Sequence, residues 1–337
     1  MSLPDPAPVI GLIDAFRASK TMFAAVKLGI FDRLHGAPAT AAALAAELSA
    51  GESAVARLLD GCAALGLLRK TDGVYANEPV ADVYLCSSSP HTLRGYVLYS
   101  DEALYPLWAH LDDAVREGTP RWTQTFGGQG GIFEHFFRTD EAMHDFLLGM
   151  HGFGMLTSPA IAAAFDLSPF RTLADLGGAS GHLAIAACER YPHLRAIVFE
   201  LPRVAPFARE QAARSSAADR IEIREGDFFQ DDLPAADLCA LGRVLHDWNE
   251  PKIARLLDRI FQCLPSGGGV LLAERLLHDD SVGPLGVNLQ SINMLVCTEG
   301  RERTPADYAR LLGNAGFTQI DYRRTGLTLD AVLALKP

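Results

Sequence analysis

From Thr172 onward the chain alternates short apolar runs with amphipathic ones, and this alternation restricts the fold more than any other feature. Candidate strands lie at 172–177, 196–201, 221–225, 236–241 and 269–275, with two more at 319–323 and 331–335. Helical spacing fills the intervals, notably at 250–263 and 305–315. Seven short apolar strands alternating with helices through short connections pack as a doubly wound, mostly parallel α/β sheet of Rossmann-like type. The last two strands, joined near Thr325 and Gly326, are expected to place an antiparallel strand at one edge. Open sheets of this kind bind ligands in the crevice beyond the carboxyl ends of their strands. Chemistry is therefore to be sought at those ends.

The first strand runs into Asp175-Leu176-Gly177-Gly178-Ala179-Ser180-Gly181 before a helix opens. Glycines let the backbone approach a ligand closely, and Asp175 offers an acceptor beside them. Tight turns use glycine anyway, and the dinucleotide fingerprint G-x-G-x-x-G is satisfied in no register, which counts against a nicotinamide cofactor. Glu200 ends the second strand, where a carboxylate accepts both hydroxyls of a ribose or caps the helix beginning at Pro202. After the third strand comes Glu225-Gly226-Asp227-Phe228-Phe229, in which Asp227 can accept from an adenine amine and Phe228 can stack on its ring. Each feature alone is weak. Three in chain order describe an adenosine-type ligand laid across the sheet edge.

The fourth strand delivers Arg243-Val244-Leu245-His246-Asp247-Trp248 to the same edge. An imidazole titrates near neutrality and can take a proton from a substrate hydroxyl. A lone histidine would more often cap the following helix or sit hydrogen-bonded in the core. The company of Glu200 and Asp227 favours a catalytic reading.

The N-terminal part reads differently. Apolar residues recur at helical spacing over 10–34, Thr40 can cap a helix through Leu48, and a further helix opening at Gly51-Glu52-Ser53 ends at Gly66. A hairpin over 67–75 turns at Asp72-Gly73. Two short helices and a hairpin form a winged-helix module. Its would-be recognition helix offers only Arg57 against Glu52 and Asp60, and the whole chain carries a formal charge of −11, so no nucleic-acid partner is expected. A packing or dimerisation role follows. Residues 94–165 read as mainly helical, broken by the glycine loop at 125–131 and followed by Phe133, Phe136, Phe137, Phe146 and Phe153, an aromatic stripe that serves as core or pocket wall. At 337 residues the chain has room for two domains. Its six cysteines form no C-x-x-C pair and read as reduced thiols. With neither a signal-peptide pattern nor an apolar run of bilayer length, a cytoplasmic location and no membrane contact are expected.

Taken together, these segments resemble the S-adenosylmethionine-dependent O-methyltransferases of the caffeate and acetylserotonin type. The resemblance is carried by Ala164-Phe165-Asp166-Leu167-Ser168, by the Asp175, Glu225 and Arg243 motifs, by Ser291-Ile292-Asn293-Met294-Leu295-Val296 and by Thr298-Glu299-Gly300-Arg301-Glu302-Arg303-Thr304. It also takes in Leu12 to Leu65, and so nearly the whole chain. It implies a mainly α winged-helix-like dimerisation domain at 1–95, a helical linker at 96–168 contributing to the substrate pocket, and a methyltransferase domain at 169–337. It implies that Asp175, Gly177, Gly178, Glu200, Asp227, Phe228 and Arg243 surround S-adenosylmethionine, with Glu200 where relatives usually have Asp and Ala179 where they commonly have glycine. With ordinary backbone angles an alanine is tolerated at 179.

The same resemblance makes His246 the general base, flanked by Glu274 and Glu302 to fix its tautomer and stabilise the imidazolium. As ordinary residues, Glu274 would be an exposed strand-end carboxylate and Glu302 a helix-leading acid before Thr304. Asp247, Asn293, Met294, Phe137 and Phe153 would line the pocket of a small hydroxylated aromatic, an indole or a phenol. Phe137 and the Phe153–Gly154 pair stand where the acetylserotonin enzymes have Tyr and Trp in the helical linker. A sulfonium is already a good leaving group, so no metal is expected, and along the sequence no acid–histidine cluster has metal-ligand spacing. A homodimer is expected. The rival is a homologue that binds the cofactor without methyl transfer or with altered chemistry, which a product assay separates.

Overall fold

The computed structural model describes residues 3–337 and divides into two compact units. The first runs to Ala103 and takes in His144–Gly152; the second holds Leu104–Met143 and Phe153–Pro337.

The first unit contains α1 (Ala7–Lys27), α2 (Ile30–Leu34), β1 (Ala39–Thr40), α3 (Ala41–Leu48), α4 (Glu52–Ala64), β2 (Leu68–Thr71), β3 (Val74–Asn77), α5 (Pro79–Tyr84) and α6 (Arg94–Tyr99). The Thr40 hydroxyl accepts the Ala43 N–H at 3.2 Å, the cap expected for α3. Strands β2 and β3 form the hairpin turning at Asp72-Gly73, and β1 pairs with the other edge of β3. Val26, Ile30, Phe31, Leu34, Leu44 and Leu59 are buried together, each worth roughly 1.5–3 kcal/mol of hydrophobic stabilisation. The opposite face of α1 buries little: Val9, Leu12, Ile13 and Phe16 are half or more exposed.

The second unit begins with four short helices, α7 (Tyr105–Trp108), α8 (Leu111–Glu117), α9 (Trp122–Phe126) and α10 (Ile132–Phe136), and shares the long α11 (Asp140–Ala164) with the first. Then follow β4 (Thr172–Leu176), α12 (His182–Arg190), β5 (Arg195–Glu200), α13 (Ala205–Ala213), β6 (Ile221–Glu225), β7 (Leu238–Gly242), α14 (Glu250–Cys263), β8 (Gly269–Glu274), α15 (Leu285–Cys297), α16 (Pro305–Asn314), β9 (Thr318–Arg323) and β10 (Asp330–Leu335). The seven strands lie in the order β6-β5-β4-β7-β8-β10-β9, with β4 to β8 mutually parallel. Apolar side chains cover both faces. Ile253, Leu256, Leu257 and Ile260 of α14 lie in the core on one side, and Leu183, Ala184 and Ala187 of α12 in the core on the other. The strand order reverses between β4 and β7, which opens a crevice at their carboxyl ends.

Two expectations need correction. The antiparallel strand is not at the edge: β10 pairs antiparallel with both β8 and β9, one place in. Composition explains the swap, since Asp330–Leu335 is largely buried whereas the polar Thr318–Arg323 faces solvent and takes the edge. Second, α11 is by length and mean hydropathy (1.3) long and apolar enough to cross a bilayer, although no run of that length was expected. Its Leu147, Thr157, Ser158, Ile161 and Ala162 are buried, the pattern of a core helix.

Candidate active site

The crevice is built from the strand ends that the sequence singled out. After β4 the chain turns sharply, with Gly177 at φ +69°. A Cβ there would meet the Phe228 ring at 3.1 Å and Val244 at 3.4 Å, and one on Gly178 would fall 2.7 Å from the Asp175 carboxyl. These two positions thus favour bare backbone. Asp175 is buried and accepts the Ala184 N–H; burial pushes its pKa up to about 7. Ala179 does not have ordinary backbone angles. Its φ is +51°, the left-handed region, which costs an alanine on the order of 1–2 kcal/mol.

Glu200, at the end of β5, holds that turn in place: one carboxylate oxygen accepts the Ala179 N–H at 2.8 Å and the other its neighbour Leu201 N–H at 2.8 Å. It does not cap α13. Burial raises its pKa. Beyond β6, Asp227 accepts the Phe229 N–H at 2.7 Å and the Gln230 amide at 2.7 Å, while the Phe228 ring lies beside the glycine turn. Arg243, after β7, has φ +57°; its guanidinium carbon stands 5.0 Å from the centre of the Phe153 ring, and that of Arg275 stands 5.4 Å from the same ring. Phe137 is buried, with its carbonyl accepting from Arg203 at 2.7 Å.

His246 sits on a single 3₁₀ turn, Leu245–Asp247, and is only 3% exposed. It caps nothing, because Asn249 caps α14 through the Lys252 N–H. Its Nδ1 lies 2.8 Å from a Glu302 carboxylate oxygen and 3.8 Å from Glu274; Nε2 lies 3.7 Å from Asp247. An ionised carboxylate only accepts, so the neutral ring carries its proton on Nδ1 and presents a lone pair at Nε2. Burial opposes a charge on the ring, but the carboxylates of Glu302, Glu274 and Asp247 outweigh it and lift the pKa to about 9. Burial likewise raises Asp247, to about 6, and holds Glu274 above the ordinary carboxylate range.

Neither acid is an ordinary surface carboxylate. Glu274 is fully buried and accepts the N–H groups of Val244 and Leu245 at 3.1 and 2.9 Å; Glu302 is 1% exposed, and the acid that caps α16 is Asp307. One oxygen of each has no hydrogen-bond partner, unusual for buried charged groups outside a functional site. Folding also corrects the reading by spacing. His246, Glu274 and Glu302 bring donor atoms within 4.8 Å of one another, a cluster that their separation in sequence hides.

The sequence reading passed over three residues here. Arg303 is 1% exposed and donates to the carbonyls of Leu245, Trp248 and Arg301 at 3.0–3.1 Å, gripping the His246 turn from both sides. Gly300 packs so closely on that turn that a Cβ would lie 2.1 Å from the His246 carbonyl oxygen. Both sit in the segment that carries Glu302, so the segment was visible although their contacts were not. On α15, Met294 is buried and its carbonyl accepts from Thr298. Asn293 accepts the Trp108 indole N–H at 2.8 Å through Oδ1, and Trp108 had drawn no notice in the sequence.

Residues 108–318 match the O-methyltransferase domain family, and residues 10–87 match the O-methyltransferase dimerisation domain family. Acetylserotonin O-methyltransferase of Bos taurus is 44% identical over 330 residues, covering 96% of this chain and 95% of that protein. The Gallus gallus protein of the same name is 39% identical over 338 residues, covering 98% and 97%. The crystal structure of human N-acetylserotonin methyltransferase in complex with S-adenosylmethionine matches with a TM-score of 0.94 at 38% identity, over 100% of this chain and 99% of that one.

Proposed function

This chain belongs to the S-adenosylmethionine-dependent O-methyltransferases that carry their own dimerisation domain, and from that premise we propose that it methylates a hydroxyl of a small aromatic substrate with His246 as general base. The observation that carries this reading is the Nδ1 contact with Glu302, which leaves Nε2 as the basic nitrogen.

The residues at the strand ends fit the cofactor. The backbone cradle between Gly177 and Phe228 is one that any Cβ would fill, and the Glu200 oxygens keep lone pairs for ribose hydroxyls after binding the turn. Asp227 and Phe228 would serve the adenine, Asp175, Gly177, Gly178 and Arg243 the remainder. When bound, S-adenosylmethionine supplies a methyl group on a sulfonium. His246 Nε2 accepts the substrate's hydroxyl proton as the oxygen attacks, and Glu302 and Glu274 stabilise the imidazolium that results. Asp247 and the buried wall of the crevice keep the hydroxyl against Nε2 and limit water.

Two observations support an indole-type substrate. Its relatives are named for acetylserotonin. The Trp108 indole can only donate, so it fixes Asn293 with Oδ1 turned toward it and leaves the amide N–H groups for an acceptor on the substrate. Met294, Phe137 and Phe153 would pack around the ring. Replacing His246 by Ala is expected to lower turnover roughly 10²–10⁴-fold while S-adenosylmethionine affinity, read by calorimetry, stays close to that of the parent. Unchanged turnover would remove His246 from the role. Cofactor binding with no methylated product from any aromatic hydroxyl tried would favour the rival, a binding protein with altered chemistry.

A further inference from the structure

The first unit holds a second cluster of donor groups that methyl transfer does not use. We propose that His35, Asp82 and Cys86 form a binding site for one divalent cation of the zinc and cobalt class. Asp82 lies on α5 and Cys86 follows four residues later, just past the end of the helix. His35 terminates α2, and its exposed ring meets Asp82 at the surface of the unit. Its Nδ1 lies 2.9 Å from the Asp82 carboxylate, the Cys86 sulfur lies 3.8 Å from the same group, and all three donor atoms fall within 4.8 Å of one another.

Bonds of 2.0–2.3 Å to a tetrahedral ion separate its ligands by about 3.3–3.8 Å. The cluster reaches that spacing with shifts of a few tenths of an ångström to about one ångström. One nitrogen, one oxygen and one sulfur make a mixed set suited to zinc or cobalt; calcium and magnesium take oxygen ligands.

Asn77 braces the cluster from the buried side. Asn77 is 4% exposed, and its amide N–H groups face the Phe31 carbonyl at 2.8 Å, Asp82 at 2.8 Å and the Cys86 sulfur at 3.5 Å. Two of those partners only accept, so the amide orientation is set and Oδ1 points away from them. That oxygen has no hydrogen-bond partner. A cavity of about 270 Å³ lies on this side of the unit, lined by Leu34, Gly36, Arg69, Asn77 and Asp82. Binding replaces the S–H bond of Cys86 by a sulfur–metal bond and releases one proton to solvent. The ion ties the end of α2 to α5 and so contributes to the stability of the unit.

The test uses the full-length protein, freed of metal by chelation and titrated with Co²⁺. One equivalent is expected to bind with a thiolate-to-cobalt charge-transfer absorption, to be displaced by Zn²⁺, and to raise Tm. The other donor cluster among the described residues, His246 with Glu274 and Glu302, contains no thiol and cannot give that band. Cys86→Ser is expected to abolish the band. His35 is exposed, so His35→Ala leaves the core intact, and it is expected to weaken binding at least on the order of tenfold. Absence of stoichiometric binding, a band that survives Cys86→Ser, or affinity unchanged in His35→Ala would each overturn the site.

Discussion

His246 is held in two opposing ways. Burial disfavours its charge, yet three carboxylates favour it, and the balance lies on the charged side. A base works only when neutral, so kcat/KM is expected to rise with pH and level off above about 9. Glu302 is the largest of the charges that raise the ring's pKa. In Glu302→Gln the rising limb should therefore move to lower pH, while the plateau falls because the imidazolium loses its closest support. A pH–rate profile of both proteins checks this; a limb that does not move would belong to another group. At this scale the sequence was partly legible. Asp175, Glu200, Asp227 and His246 declared themselves because strand ends in a parallel sheet converge on one crevice. The left-handed backbone of Ala179 did not, since alanine rarely adopts it and nothing in the letters marks it.

Among the elements, the 3₁₀ turn that carries His246 has too few residues to hold itself rigid. It borrows order from the segment after α15, where Gly300 lies against its backbone, Glu302 binds the imidazole and Arg303 takes its carbonyls. Arg303 is thus expected to act as a positioning residue. Arg303→Met should lower kcat more than it raises KM and cost at least roughly 1.5–3 kcal/mol of stability, the net worth of one hydrogen bond to a charged group. Arg303→Lys should restore part of kcat, since a shorter cation can still donate to a carbonyl of the His246 turn. Steady-state kinetics with a melting curve for each variant separates these outcomes. The elements themselves were legible because periodicity fixes them locally: α14 runs Glu250–Cys263, as its spacing requires. The order of β9 and β10 was not, because a hairpin near Thr325 is compatible with either strand outermost and only the relative burial of the two decides.

For the whole molecule, α1 leaves Val9, Leu12, Ile13 and Phe16 as an apolar stripe in solvent, the last three within the stretch that matches the dimerisation domain family. A second copy is the proposed cover for that stripe, since a lone chain gains nothing by exposing it. Leu12→Asp with Phe16→Asp is expected to turn the dimer into a monomer in sedimentation while circular dichroism is unchanged; a parent protein that sediments as a monomer would refute the assignment. The sequence showed the helix and its apolar residues, and only burial showed which of them the unit itself consumes.

The acid–base cluster also has a history in time. The glycine turn reaches Glu200 across 21 positions, whereas His246 reaches Glu302 across 56. Closing the longer loop costs about 0.9 kcal/mol more chain entropy, and its far end leaves the ribosome last. The groups assigned to the cofactor are complete in a nascent chain well before Glu274 and Glu302 exist. A chain ending between Arg243 and Glu274 would have every group assigned to the cofactor in its sequence and neither carboxylate that supports the imidazolium.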